Sequence, residues 1–349
     1  MEDARYCFVG EWYDPQACMT RSYQIFVYPR DISIEMFDIK NRRTFLKKTK
    51  CDNLSLKDFF IGNIVNIYSR QLKLVDFGDD FTRTKIATNQ QSTLAIIKPH
   101  AMKHKADILQ SIQRNLLSIT NIQSVQLSRA EAMDFYDEHR SKPFFKLTTE
   151  YRVKVVEAYY YENGRLNKKA LRAFHNTRNA CHGSDSEDSA AREIRFFFPR
   201  DSRHRMTTST MNDVTCCVVK PHGTQFLSEI IREIEQRGFK INAIKSFLLT
   251  RAEAEEFFEV YKGVVTEYID MVTDLCTGMI VAMEIAADGD PQKFRSVVGP
   301  ADPEICKHVR PDTLRAKFGK TKVKNALHVT DLPGDAPLEV EYFFRILAQ

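Results

Sequence analysis

Thr93-Leu-Ala-Ile-Ile-Lys98-Pro-His100 and Thr215-Cys-Cys-Val-Val-Lys220-Pro-His222 are one motif written twice, an apolar run closed by Lys-Pro-His. LSRAEAMDFY at 127–136 returns as LTRAEAEEFF at 249–258, with the same offset of 122 residues. Further on, Leu171-Arg172-Ala173 returns as Leu314-Arg315-Ala316, and NACHGSD at 179–185 returns as NALHVTD at 325–331, where the offset has grown to 146. Preserved order with unequal spacing marks a tandem duplication whose first copy is 24 residues shorter, 21 of them lost between Tyr136 and Leu171. An internal repeat sets domain boundaries more firmly than local propensity does. The division expected is a head at 1–90, a shortened first repeat at 91–200 and a second repeat at 213–349, with polar linkers at 79–92 and 199–213.

Within a copy, TLAIIK reads as a buried strand, and the segments ADILQSIQRNLL and FLSEIIREIEQRG carry apolar residues at helical spacing. IQSVQL and INAIKSFLL read as second strands. Ser128 with Glu131 and Thr250 with Glu253 have the shape of capping boxes that open a helix. Met279–Ile285 reads as a strand, PQKFRSVV as a helix and VEYFFRIL as a final strand, while YRVKVVEAYYY is left as a possible substitute for a strand lost from copy one. This alternation predicts an α+β class with two ferredoxin-like, split βαβ domains. The first 90 residues differ, being short β-like runs (YQIFVY, ISIEMFDI, NIVNIY, LKLVDFG) with turn chemistry at Tyr28-Pro-Arg-Asp31, and predict a small antiparallel β domain.

The 349 residues, 43% hydrophobic and 28% charged with 13 Gly and 12 Pro, exclude collagen-like and largely disordered classes and suit two or three domains. A net charge of +5 from 51 basic and 46 acidic residues is too slight to indicate nucleic acid, and no aromatic platform interleaves with a basic stripe, so nucleic-acid binding is the weakest class. Eight cysteines without a CxxC pair argue against a zinc site or a disulfide framework, and no apolar run reaches the length of a spanning helix. The expectation is a soluble chain in a reducing compartment, without a membrane partner.

The densest chemistry is Asn179-Ala-Cys-His182-Gly-Ser184-Asp185, with Glu193 eleven residues beyond the histidine. A neutral imidazole can attack a phosphoryl group and carry it as phosphohistidine, and a carboxylate can hold the ring through its other nitrogen. Here the chain resembles the nucleoside diphosphate kinase family, whose signature is Asn-x-x-His-Gly-Ser-Asp downstream of a strand ending in Lys-Pro, and the resemblance spans both repeats. It implies magnesium with ATP or another nucleoside triphosphate, and nucleotides as partners. Carried over to copy one, it assigns Lys98, Tyr136, Phe144 for base stacking, Arg172 for phosphate and Asn179 for the sugar hydroxyls, with His182 taking the phosphate and Ser184 and Glu193 positioning it. The stretch holding the family's other phosphate-binding Arg and Thr falls where this copy is shortened, with no equivalent in KLTTEYRVKVVEAYYYENGRLNKK.

In copy two, Lys220, Arg295, Arg315, Asn325, His328 and Glu339 fall at matching places. Its departures are Val-Thr-Asp after His328, Thr266 at the stacking position and Phe258 in place of the active-site Tyr. A β-branched Val329 cannot copy a glycine's backbone freedom or close approach, so altered ligand geometry near His328 is expected. In the head, Lys40 to Lys50 holds six cations in eleven residues and reads as a solvated hairpin face. Glu11-Trp-Tyr-Asp-Pro15, FDIKNRRTFLKK and FIGN resemble the pleckstrin-homology-like domain that precedes paired kinase repeats in ciliary proteins. That resemblance implies the cytoplasmic cytoskeleton, a cilium axoneme, centrosome or basal body, with tubulin or other axonemal or centrosomal proteins as partners. Weak phosphotransfer at His182 is one expectation; a microtubule-bound scaffold with inactive kinase folds is the other.

Overall fold

The computed structural model describes residues 5–14, 17, 19–51, 54–61, 63–68, 70–87, 90–114, 118–137, 151–161, 181–198, 207–286 and 291–348. They form two compact units, one of Met1–Gln90 with Leu248–Glu256 and Val272–Gly278, the other of Gln91–Phe247, Phe257–Met271 and Met279–Gln349. Among the described residues no helix is long and apolar enough to cross a membrane.

The first unit holds a six-stranded sheet in the order β4-β3-β2-β1-β6-β5. Its strands are β1 (Tyr6–Asp14), β2 (Met19–Tyr28), β3 (Ser33–Asp38), β4 (Arg43–Lys50), β5 (Ile64–Ile67) and β6 (Arg70–Phe77), each paired antiparallel with its neighbours. Alternation builds the core: Tyr23, Ile25 and Val27 of β2 point inward against Phe8, Ile34, Met36 and Leu72. The basic run becomes β4, an edge strand with most side chains exposed; like-charged lysines there discourage pairing with another chain's edge. Residues 79–87 are more than a linker. Asp79 caps a turn at Asp80–Thr82 by accepting from the Thr82 N–H, and the buried Thr82 hydroxyl accepts from the Cys7 N–H at 2.7 Å. The same unit includes a Gln71 side chain satisfied by three backbone groups, the carbonyls of Leu249 and Cys276 and the N–H of Arg251.

The second unit is built on one eight-stranded sheet, ordered β10-β7-β9-β8-β12-β13-β11-β14. Copy one contributes β7 (Gln90–Ile97), β8 (Ser118–Leu127), β9 (Tyr151–Tyr161) and β10 (Cys181–Gly183); copy two contributes β11 (Val214–Val219), β12 (Ile241–Phe247), β13 (Ile280–Ala286) and β14 (Leu327–Val329). Outward from the middle of the sheet, each half runs second, third, first, fourth strand, the split βαβ arrangement. The third place in copy one is taken by β9, paired antiparallel with β8, so YRVKVVEAYYY does replace the missing strand. Each first strand leads into a helix, α1 (Lys105–Arg114) or α4 (Leu227–Gln236). The two capping boxes form as read, at Ser128 before α2 (Arg129–Phe135) and at Thr250 before α5 (Arg251–Phe257).

The copies pair with each other inside the chain. Strands β8 and β12 meet antiparallel at the centre, and two serines at equivalent places tie the seam. Ser246 Oγ accepts from the Ile122 N–H at 2.9 Å, and Ser124 Oγ accepts from the Ile244 N–H at 2.8 Å. Above the seam, Ile108, Leu109 and Ile112 of α1 share one core with Ile230, Ile231 and Ile234 of α4, flanked by the Lys105–Glu235 and Arg232–Asp107 ion pairs. The inter-repeat connection is also fastened: the buried Glu284 carboxylate accepts from the Ser209 hydroxyl, the Thr210 N–H and hydroxyl and the Asn242 amide. A buried carboxylate needs such a full set of donors.

One element differs from expectation. VEYFFRIL is helical, lying across α10 (Ala336–Glu341) and the helical turn Tyr342–Ile346, and the fourth strand is instead the short β14 around His328. Ala336, Val340, Tyr342, Phe343 and Phe344 are the buried positions; Ala336, Val340 and Phe343 keep the helical three-to-four-residue spacing, which the run of three adjacent aromatics disguises as a strand's apolar run.

Candidate functional site

In copy one, β10 hydrogen-bonds to β7 with His182 opposite Ile96, which aims the imidazole from the outermost strand of its half-sheet. Helix α3 (Glu187–Phe197), capped by Ser186, brings Glu193 back beneath it. One carboxylate then holds two groups: His182 Nε2 lies 2.9 Å from Glu193 Oε1, and the Ser184 hydroxyl donates to Oε2 at 2.7 Å. Ser184 is itself fixed, its Oγ accepting from the Leu94 N–H and its N–H donating to the Leu94 carbonyl. A carboxylate on Nε2 selects the tautomer with hydrogen there and leaves the lone pair on Nδ1, the form a nucleophile requires. Phe135 and Tyr136 stand edge-on to the ring at 5.4 and 5.9 Å. The imidazole keeps 15% of its side-chain surface exposed, while Ser184 and Glu193 are buried. Lys98 stands at the end of β7, close enough for its charge to oppose the burial that pushes the Cys181 thiol up to about 11. The structure therefore brings together His182, Ser184, Glu193 and Tyr136 with Lys98 near the strand end; Phe144, Arg172 and Asn179 lie outside the described residues.

Copy two repeats this skeleton. His328 on β14 faces Val218 of β11, its Nε2 lies 3.0 Å from Glu339 Oε2, and the Thr330 hydroxyl donates to the same oxygen at 2.8 Å. The Cys216 N–H donates to Thr330 Oγ1 at 3.1 Å, matching Leu94 and Ser184. Val329 leaves the His328–Glu339 and Thr330–Glu339 hydrogen bonds in place. Val329 is simply an inward strand residue, and at Gly183 an added Cβ would meet nothing nearer than the Leu94 carbonyl at 3.9 Å. Sequence reading also passed over Thr330, whose hydroxyl sits two residues after the histidine, as Ser184 does.

What changes is the surroundings. The aromatic wall of His328 is Phe257, Phe258 and Tyr261, at 5.0, 5.7 and 6.3 Å, and the imidazole is only 6% exposed. Lys220 Nζ donates to the Val323 carbonyl at 2.8 Å, and Asn325 Nδ2 donates to that of Ala301. Arg315 Nε and Nη1 donate to the carbonyls of Leu327 and Gly299, and burial lowers its pKa. Arg295 is ion-paired with Asp331. A Glu267–Lys322 pair at 2.7 Å joins the segment carrying Thr266 to the loop carrying Asn325. Tyr261 is absent from the residues singled out by sequence; its hydroxyl donates to Asp331, 70 residues away.

Residues 91–163 and 213–347, well over half the chain, match the family described as "Nucleoside diphosphate kinase". The chain belongs to the nucleoside diphosphate kinase family. Residues 1–88 match "Nucleoside diphosphate kinase 7 N-terminal PH domain". Among similar proteins, "Nucleoside diphosphate kinase homolog 7" of Mus musculus is 45% identical, over 99% of this chain and 94% of its own length; the Rattus norvegicus protein of that name is 44% identical over the same shares. A nucleoside diphosphate kinase of Aquifex aeolicus is 33% identical over 37% of this chain and 92% of its own length, so one such kinase corresponds to about one repeat. Membership in a nucleoside diphosphate kinase family implies nucleotide binding. Among the described residues no group of three or more His, Cys, Asp or Glu could hold a metal ion.

Proposed function

We propose that the first repeat transfers a γ-phosphate between nucleoside tri- and diphosphates through phosphohistidine at His182. The observation that carries this reading is the partly exposed imidazole held by Glu193, with Ser184 on the same carboxylate. Nδ1 attacks the γ-phosphorus; the N–P bond forms as the bond to the β-phosphate oxygen breaks, and the nucleoside diphosphate leaves. Attack turns the ring cationic, and the buried Glu193 stabilises that charge in place. A second nucleoside diphosphate then attacks the phosphohistidine, restoring the neutral ring. The nucleotide is taken as its magnesium complex, with the metal supplied on the phosphates. Lys98, with Arg172 from the resemblance, supplies positive charge to the phosphate tail.

Turnover should be low, because the stretch that carries further phosphate-binding groups in the family is cut short here and is occupied in part by β9. Loss of one clamp and one hydroxyl donor corresponds to roughly tens- to a thousandfold in rate. The test is γ-labelled ATP with the purified chain, followed by site mapping of acid-labile phosphate. Label at His182 that vanishes in His182→Ala supports the proposal; an unlabelled wild type, or equal labelling of the variant, ends it.

A second reading, that the chain is a microtubule-bound scaffold in the cilium or centrosome, is favoured by copy two, whose Lys220 and Arg315 are committed to backbone carbonyls. It takes the cytoskeletal location and tubulin or other axonemal partners from the resemblance of the N-terminal domain. Cosedimentation with microtubules that survives the double variant His182→Ala, His328→Ala supports it, and loss of binding by that variant while folded counts against it.

A further inference from the structure

Arg70, at the start of β6, is held between two aromatic rings. Its guanidinium carbon lies 5.1 Å from the ring centroid of Trp12 on β1 and 4.8 Å from that of Phe45 on β4. Phe45 packs in turn on the buried Tyr23 at 4.8 Å, which seats the stack against the core of the first unit. The donors of this arginine are nearly unused. Nε is buried without a hydrogen-bond partner, and Nη1 reaches only the Tyr68 carbonyl at 3.5 Å, the outer limit of such a bond. Asp14 and Asp38, whose charges act on Tyr23, are committed elsewhere: Asp14 accepts from Arg21 Nε at 2.8 Å, and the buried Asp38 accepts from the Asn41 N–H and side-chain amide, both at 2.8 Å. An arginine held flat by two rings and left without an ion pair is arranged to offer its planar fork to an anion from outside.

Phe45 belongs to the basic edge strand, and residues 40–50 hold six cations and no acid. Arg42, Arg43 and Lys47 are exposed and enter no ion pair among the described residues, while Lys48 lies over the Tyr28 ring at 3.8 Å. One side of the β4 backbone faces no other strand among the described residues. Charges that repel a second copy of this edge are charges that an acidic chain would neutralise. The strand's 8 residues run about 25 Å, so its cations are strung out rather than gathered about one point. A line of cations along an unpaired edge suits an extended chain with several carboxylates, whereas a single phosphate headgroup needs cations that converge. Register shifts at Ile34/Met36 and Met36/Phe37 interrupt the ladder, so charge rather than backbone pairing has to carry the affinity.

We propose that β4 and the stacked Arg70 form a docking surface for an extended acidic peptide segment of a partner protein, with one carboxylate seated on the Arg70 fork and others along Arg43 and Lys47. The surface lies in the first unit alone and depends neither on catalysis at His182 nor on the microtubule reading.

Trp12 is the chain's only tryptophan, so its fluorescence reports directly on the Arg70 stack. The experiment titrates the full-length chain with a short dye-labelled peptide of alternating Glu and Thr, following Trp12 emission and peptide anisotropy at low and high salt. Wild type should bind with a change in Trp12 emission and should lose affinity as salt rises. Arg43→Glu combined with Lys47→Glu, both at exposed positions, should weaken binding by about tenfold or more with the unfolding midpoint near wild type. Arg70→Lys keeps the charge and loses the fork; it should weaken binding by roughly threefold to tenfold and reduce the Trp12 response. If Arg70→Lys does not fold, the exposed pair decides by itself. No binding to wild type, equal binding of a Gln-Thr peptide, or unchanged affinity in the charge-reversed pair overturns the proposal. A stronger response to phosphatidylcholine vesicles carrying a phosphoinositide than to the peptide overturns it too, by making the surface a headgroup site.

Discussion

His182 and His328 are held by the same hydrogen-bond skeleton, share an edge-on pair of aromatic rings and differ in exposure, 15% against 6% of the imidazole side chain. In both, a carboxylate eleven residues downstream takes Nε2, a hydroxyl two residues downstream takes the same carboxylate, and a backbone N–H of the neighbouring strand fixes that hydroxyl. The skeleton depends on a short fourth strand, the first strand beside it and one helix, and the ferredoxin-like fold supplies all three to each copy. The surroundings come from connecting segments, and in copy two they set Tyr261 at the ring, bond Lys220 and Arg315 to backbone carbonyls and pair Arg295 with Asp331. Positioning of the imidazole and admission of a ligand are thus separable properties of one fold.

The sharpest way to break that comparison is at the carboxylates. Glu193→Gln should slow labelling of His182 by about a hundred- to a thousandfold, because an amide can neither select the tautomer nor stabilise the cationic ring, whereas Glu339→Gln should leave total labelling unchanged. Single-turnover labelling with γ-labelled ATP measures both. Equal losses would make the copies functional equals.

The seam between copies offers a test on which they should agree. Ser124→Ala strands the Ile244 N–H and Ser246→Ala strands the Ile122 N–H, both buried, and each should cost about 1–3 kcal/mol in denaturant unfolding. A large difference between the two variants would show that the seam is carried by one copy alone.

The Lys-Pro-His strand ends should part company in acid. His100 is exposed, whereas burial first, then Lys220, Lys320 and Lys324, push the His222 imidazole down to about 4. Between an unfolded value near 6.5 and that folded value, the unfolded chain binds the extra proton, so stability is present above the window and lost as pH falls through it. Thermal unfolding from pH 7 to 4 should show this slope in wild type and a shallower one in His222→Gln.

The smallest effect concerns the residue after each histidine. Gly183→Val, which copies Val329, should cost under about 1 kcal/mol and leave His182 labelling intact, since an added side chain there meets only ordinary contact. A lost label would restore glycine to a necessary role.

Much of this was readable from the residues. The duplicated strand ends located β7 and β11, the Ser-x-x-Glu and Thr-x-x-Glu spacings placed two helix starts, and the His182–Glu193 spacing named a pair that meets at 2.9 Å. β9 was ambiguous because the shortening of copy one removed the repeat partner that would have identified it. The C-terminal segment was misread because adjacent phenylalanines obscure a helical period. Tyr261 and Thr330 were invisible for another reason: a hydroxyl's role depends on what lies across from it, and their partners Asp331 and Glu339 are 70 and 9 residues away.

Local order therefore settled which elements form, where the copies begin and which imidazoles are held by carboxylates, since those follow from short spacings and from hydrophobic period. The pairing of the copies through β8 and β12, the strand that repairs copy one and the bonding of Lys220 and Arg315 to backbone carbonyls were decided only in three dimensions. Each is a contact between segments far apart along the chain, and its strength comes from burial and hydrogen-bond geometry that no local spacing encodes.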